Sequence, residues 1–378
     1  MPTSGISRVV DLEKFVGDKL PYFLIDYFAT GGGDEQTLVD SVNAFKRFRL
    51  KPRVLQSKSE TNIETKTQGQ SICSPFGIAP TGFQSLAHPQ GDVATAKAAE
   101  KAGVIMIVSS WTCLRFETIA SSAPSAVLWM QLYPYADRRH TLNFIRRAER
   151  SGFQALVVTV DSPQIGIFAR SIRSGYEAQD QFDSVLPNGL LNLEAAPEET
   201  EKAKASGDKY LFQYLKQQIS SAAADWNYIA WMKSQTKLPI ILKGILTAES
   251  AREAVAVGVH GIIVSAHGGR QLDGVQAPIE ALPEIVDAVR GSKVEVYMDG
   301  GVRSGRDVFK ALAIGAKAVF IGRPIIWGLA HDGENGVTEI LDMVRKELVN
   351  TMALCGCNKI EDITRSYIRH QSELTCKL

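Results

Sequence analysis

The stretch Tyr297–Pro324, YMDGGVRSGRDVFKALAIGAKAVFIGRP, carries the pattern that decides the fold. It opens on a short apolar run ending in Asp299-Gly300-Gly301 and passes into an amphipathic segment over Arg306–Ile314. It then turns at Gly315 and closes on a second apolar run over Ala318–Arg323. Apolar runs without polar alternation suit parallel strands buried on both faces, and a glycine just past an amphipathic segment suits a helix end. The stretch therefore reads as strand, helix, strand.

The same unit recurs upstream. Apolar runs lie at Phe76–Pro80, Val104–Ser110, Leu128–Tyr133, Ala155–Asp161, Pro239–Gly244, Gly261–His267 and Val294–Gly300. Helix-like segments over Asp92–Ala102, Arg138–Ser151 and Ala248–Val257 are followed by Gly103, Gly152 and Gly258. Eight strands separated by helices predict an α/β fold, a (β/α)8 TIM barrel, over residues 71–378. Residues 1–70 read as a helical segment packed on it, with helices at Asp11–Val16, Tyr22–Phe28 and Asp34–Phe45. The rhythm breaks once. Residues 162–224, after the fourth strand, are rich in charge, Gly and Ser, and so long a connection reads as a lid-like insertion.

Composition narrows the function classes. The 378 residues are 45% hydrophobic and 22% charged, typical of a soluble globular chain. A net charge of +1 argues against a nucleic-acid-binding surface spread over the whole molecule. No run approaches the ~20 apolar residues of a membrane span. Five cysteines make no disulfide framework at this length, and Cys355 and Cys357 lack the companions of a metal site, so no metal is expected. A reducing compartment fits. The ending Cys376-Lys377-Leu378 has the form of the peroxisomal Ser-Lys-Leu address, which predicts an import receptor as partner. A plain tail on a cytoplasmic protein is the alternative.

Polar residues gather where the strands finish: Gln131, Tyr133, Thr159, Asp161, Lys243, His267, Asp299 and Arg323. Active sites of barrels assemble at the C-terminal ends of strands. In SAHGGRQLDG (Ser265–Gly274), a base and a guanidinium three residues apart suit proton abstraction from a carboxylate substrate. On that motif alone, a structural histidine fits equally well. The Gly-rich ends of the last two strands, with Arg303 and Arg323, suit a phosphate. Lys243 ends an apolar strand and needs an anion or a site, because an unpaired buried charge is expensive. A flavin requires such a cation where negative charge gathers on reduction. Asp161 is placed to accept a hydrogen bond from His267 across the barrel.

With these residues in view, the chain resembles the FMN-dependent 2-hydroxy acid oxidase/dehydrogenase family, from about Leu20 to Ile368. The matching stretches are IAPTGFQSLAHPQGD, SSWT, QLYPY, TVDSP, ILKGILT, SAHGGRQLD, MDGGVRSGRDVFKALAIGA and IGRP. The likeness is to its glycolate oxidase-like, peroxisomal members. The resemblance implies FMN held by Pro80, Thr81, Gly82, Ser109, Gln131, Thr159, Lys243 and Ser265. It places the flavin phosphate at Asp299, Gly300, Gly301, Arg303, Gly322 and Arg323. It implies His267 as base, Asp161 as its partner and Lys243 as the cation beside the flavin. It assigns Tyr27, Trp111, Tyr133 and Arg270 to a substrate pocket. The implied reaction converts an (S)-2-hydroxy acid and O2 to the 2-oxo acid and hydrogen peroxide. The implied assembly is a homotetramer.

Two positions depart from the family pattern. Phe168 stands where a second substrate-gripping arginine is usual, although Arg170 or Arg173 stands near enough in sequence to supply it. Ala266 stands where an asparagine precedes the base. Losing a guanidinium removes charge and bidentate donors, and a phenyl ring adds apolar wall. These changes point to a larger, more apolar acid. They also leave open a dehydrogenase, an oxidative decarboxylase, or a catalytically weakened paralogue with a binding role.

Overall fold

A computed structural model describes residues 8–16, 20–56, 60–164, 217–219, 222 and 224–375. Phe168, Arg170, Arg173, the terminal Cys376-Lys377-Leu378 and most of the stretch read as a lid lie outside the described residues. The eight apolar runs form β1 (Phe76–Ile78), β2 (Ile105–Val108), β3 (Val127–Leu132), β4 (Ala155–Thr159), β5 (Ile240–Ile245), β6 (Gly261–Val264), β7 (Glu295–Asp299) and β8 (Ala318–Ile321). Each pairs in parallel with its neighbours in chain order. Strand β8 returns to β1 through Val319–Phe76, Phe320–Gly77 and Ile321–Ile78, so the barrel closes.

Side chains of a strand alternate between its two faces, and here both faces are apolar. One set fills the barrel: Ile105, Ile107, Trp129, Ala155, Val157, Ile241, Ile263, Tyr297, Ala318 and Phe320. The other set, including Met106, Val108, Leu128, Met130, Leu156 and Val158, packs under the surrounding helices. At the centre, Trp129, Tyr297 and Phe320 meet from three strands with ring centroids 5.5–5.8 Å apart.

Ahead of the barrel lie α1 (Val9–Val16), α2 (Tyr22–Ala29) and α3 (Gln36–Asn43). Around it run α4 (Gly91–Ala102), α5 (Phe116–Ser122), α6 (Arg138–Arg150), α7 (Trp226–Ser234), α8 (Ala248–Val257), α9 (Pro278–Ala288), α10 (Gly305–Ile314) and α11 (Arg323–Cys355). Four of these helices start on a side-chain cap: Asp137, Asp225, Thr247 and Ser304 accept from backbone N–H groups of their first turns.

Three short strands also precede β1. Phe48–Leu50 pairs antiparallel with Ile368–His370, tying the two ends of the chain together. Thr65–Thr67 and Gln70–Ile72 form a hairpin under the N-terminal ends of the barrel strands. Its Gln70 accepts from the Trp129 indole (3.0 Å), and Gln68 donates to His260 O (3.0 Å) and to the Tyr297 hydroxyl (3.1 Å). The hairpin is a floor.

Candidate active site

The strand periodicity that fills the barrel also builds its upper rim. Two residues beyond each inward-facing residue is the next inward position. Ala79 leads to Thr81, Ile107 to Ser109, Trp129 to Gln131, Val157 to Thr159, Ile241 to Lys243, Ile263 to Ser265, Tyr297 to Asp299 and Phe320 to Gly322. One expected cofactor residue therefore comes from each of the eight strands, and together they form a ring. Beyond the ring, Trp111, Tyr133, Asp161 and His267 form a second tier, with Trp111 and Tyr133 at a centroid spacing of 5.6 Å and Asp161 against His267.

The lower ring is cross-linked. Gln131 donates to the Thr159 hydroxyl (2.9 Å) and accepts from Ser110 N (3.0 Å), while Ser109 Oγ accepts from Trp111 N (3.1 Å). Lys243 Nζ donates to Ser265 Oγ at 3.0 Å and stands 3.4 Å from Asp299 Oδ2. This ion pair is buried, with side-chain exposures of 5% and 6%, so each charge stabilises the other where water cannot. The second Asp299 oxygen, Oδ1, is buried without a hydrogen-bond partner.

In the upper tier, His267 Nδ1 lies 2.9 Å from Asp161 Oδ1, with the Ser162 hydroxyl 3.2 Å from the same carboxylate oxygen. Burial alone would raise the Asp161 pKa. The facing His267, Lys243 and the Ser162 hydroxyl more than offset it, and the carboxyl titrates below its ordinary value. The His267 backbone holds a left-handed φ of 53°, uncommon outside glycine, and its N–H donates to Ser265 Oγ at 3.0 Å. An aromatic row borders this pair. Tyr27, Phe83, Trp111 and Tyr133 follow one another at centroid spacings of 6.0, 5.9 and 5.6 Å. Burial, then the charge of Asp161, push the Tyr133 phenol well above its usual pKa and keep it neutral.

Arg270 lies over the Tyr27 ring, 4.9 Å from its centroid, and donates to Tyr27 O (2.8 Å) and Thr30 O (2.9 Å). Arg323 donates to Phe28 O (2.9 Å), Gly268 O (2.8 Å) and Thr30 O (3.0 Å). This residue, expected at a phosphate, clips α2 to the loop after β6. Burial, then the like charges of Arg270 and Arg303, press its pKa below the ordinary arginine value. Burial likewise lowers that of Arg303.

These features fit FMN. Crowded guanidiniums call for an anion, which a flavin phosphate would supply. The orphaned Asp299 oxygen suits a hydroxyl donor on the ribityl chain. Around Gly322, a Cβ would meet nothing closer than 3.8 Å, and Gly300 and Gly301 turn through positive φ beside it. No group of three or more potential metal ligands occurs among the described residues.

The family model described as FMN-dependent dehydrogenase matches residues 17–370. The chain belongs to that family. It is 43% identical over 359 residues to 2-hydroxyacid oxidase 1 of Homo sapiens, covering 95% of each chain. It is 45% identical over 370 residues to a peroxisomal (S)-2-hydroxyacid oxidase of Arabidopsis thaliana, covering 97% and 98%. Among solved structures, it is similar to a mandelate oxidase at 36% identity and a TM-score of 0.82, covering 96% and 98%. An active mutant of (S)-mandelate dehydrogenase matches at 30% identity and a TM-score of 0.86, covering 97% and 100%.

Sequence reasoning passed over Phe83, Ser162 and Asp273. Phe83 and Ser162 each lie within two residues of a position that was singled out. Asp273 carries no local signal, because its partners lie more than 230 residues away.

Proposed function

We propose that this chain oxidises an (S)-2-hydroxy acid to the 2-oxo acid, with molecular oxygen accepting the two electrons to give hydrogen peroxide. The observation that carries the proposal is the 2.9 Å contact of His267 Nδ1 with Asp161, on the tier directly above a ring suited to a flavin. FMN, when bound, supplies two-electron acceptor chemistry at the α-carbon.

With Nδ1 committed to Asp161, the second imidazole nitrogen, Nε2, is the one that takes the substrate proton. Asp161 stabilises the imidazolium that results, and its depressed pKa keeps it ionised while it does so. Arg270 and the tyrosines Tyr27 and Tyr133 hold the substrate carboxylate and hydroxyl. Trp111 forms the pocket wall, and Lys243 would offset negative charge on a flavin held below. Ser109, Gln131, Thr159 and Ser265, with backbone from Pro80 to Gly82, would seat the flavin ring. The segments at residues 299–303 and 322–323 would seat its phosphate.

The pocket favours bulkier acids. Ala266, next to His267 in sequence, is buried at 6% exposure and carries a methyl group where an asparagine would carry an amide. The solved relatives that resemble the chain include proteins named for mandelate, an aromatic hydroxy acid. Peroxisomal residence fits the Arabidopsis relative's name. A homotetramer rests on the family resemblance, and light scattering reads it directly.

The deciding experiment mixes the yellow protein anaerobically with short, long-chain and aromatic (S)-2-hydroxy acids and follows loss of flavin absorbance. Bleaching by aromatic or long-chain acids, with colour and peroxide appearing when oxygen is admitted, is the expected result. Bleaching that oxygen does not reverse assigns a dehydrogenase instead. No bleaching by any acid overturns the proposal.

A further inference from the structure

Helix α3 begins without a cap of its own. Glu35, the residue before it, holds a left-handed φ of 65° and gives no capping side-chain bond. The first turn of a helix leaves N–H groups that need acceptors. Here the acceptor comes from more than 230 residues away in the chain. Asp273, in the loop after β6, accepts from Asp34 N (2.9 Å) and Gln36 N (3.2 Å) on Oδ2 and from Thr37 N (2.8 Å) on Oδ1. Its neighbour Gly274 returns a bond from its N–H to Thr37 Oγ1 at 2.9 Å.

That contact belongs to a longer clasp. Gly32 N donates to Gly269 O at 2.7 Å, and Arg270 donates to Tyr27 O and Thr30 O. The two segments lie so close that a Cβ on Gly32 would fall 2.5 Å from Gln271 O. At Gly33, with φ of +55°, a Cβ would fall 2.8 Å from Asp273 Cβ and 2.9 Å from Oδ2. One side of the clasp carries Tyr27; the other carries His267 and Arg270. Asp273 closes its outer end.

We infer that Asp273 is a positioning residue for the reaction: by capping α3 from the loop that holds His267 and Arg270, it fixes where Tyr27 stands relative to both. The inference rests on the proposed reading of Tyr27 and Arg270 as substrate-binding. Asp273 touches neither substrate nor cofactor, so its removal loosens the grip on the substrate carboxylate and leaves the flavin ring and phosphate residues in place.

The test uses the full-length, FMN-loaded protein and a double-mutant cycle. Asp273→Ala is expected to raise KM on the order of tenfold, the scale of a lost helix cap, with a smaller change in kcat and full flavin occupancy. Asp273→Asn, which keeps one oxygen acceptor, restores part of the loss. In a Tyr27→Phe background, Asp273→Ala raises KM less than about twofold, because the group it positions is already gone. Gly33→Ala, which pushes the carboxylate aside without removing it, reproduces the rise in KM should Asp273→Ala fail to fold. Equal penalties in both backgrounds, or a lowered melting temperature with unchanged KM, overturn the inference. If Tyr27→Phe alone leaves KM unchanged, the substrate reading of Tyr27 fails and takes the inference with it, a result distinct from equal penalties.

Discussion

His267 combines an uncommon backbone conformation with an ordinary hydrogen bond, and the combination has a purpose. The left-handed turn at φ 53° brings the imidazole to Asp161, two strands away around the barrel. His267→Gln keeps the backbone N–H to Ser265 Oγ and the FMN contacts but removes a group able to accept a proton. The expected outcome is a protein that stays yellow and is reduced by hydroxy acids about 10²–10⁴-fold more slowly, measured by anaerobic stopped flow. Reduction at the wild-type rate would remove His267 from the mechanism. Phe168 poses the opposite question, of a charge lost rather than used. Phe168→Arg should improve kcat/KM for small, polar acids by about tenfold or more, since a charge-assisted bond to a carboxylate is worth roughly 1.5–3 kcal/mol. No gain for any short acid would show that another residue already supplies the cation.

The end of β5 shows how one element sets the geometry of its neighbours. The pairing register with β6 shifts between Lys243 and Ile245, and Gly244 takes a φ of 111° there. A Cβ at Gly244 would lie 2.5 Å from Asp161 Cβ and 2.6 Å from its Cγ. Gly244→Ala is therefore predicted to push Asp161 off His267 and slow substrate oxidation on the order of a hundredfold, while FMN binding by fluorescence quenching stays intact. Unchanged oxidation kinetics would show that Asp161 has room to move. The barrel strands were legible in the sequence because a strand covered by helices outside and by other strands inside must be apolar on both faces, and only its open end meets polar chemistry. The lower ring was equally readable, since Lys243, Thr159, Gln131 and Asp299 are chemically conspicuous at the ends of such runs. The floor hairpin and the strand pair joining Phe48–Leu50 to Ile368–His370 were not. Three-residue strands carry no periodicity to detect, and their partners are fixed by the tertiary fold. The α3 cap was hidden for the same reason: capping patterns are local, and Asp273 is not.

For the molecule as a whole, stability and pH are linked through Asp92, which lies fully buried in the first turn of α4 and accepts from Thr112 Oγ1 at 2.6 Å. Burial outweighs that bond and raises its pKa to about 7. The unfolded carboxyl titrates at about 3.9, so between about pH 4 and pH 7 the unfolded chain releases a proton that the folded chain retains. Stability from this group is complete below about pH 4, falls as pH rises, and is lost by about pH 7. Asp92→Asn keeps an acceptor for Thr112 and has no charge to bury. It should therefore stabilise the protein more at pH 8 than at pH 5, by up to roughly 2–3 kcal/mol in urea unfolding. An equal gain at both values would locate the cost elsewhere. At the other end of the barrel, the aromatic centre of Trp129, Tyr297 and Phe320 and the hairpin beneath it have a logistical consequence. Among the described residues the barrel is a cup, not a conduit. Whatever the rim groups act on therefore reaches them from the rim side, and the residues bordering that side bear on what comes in and what goes out.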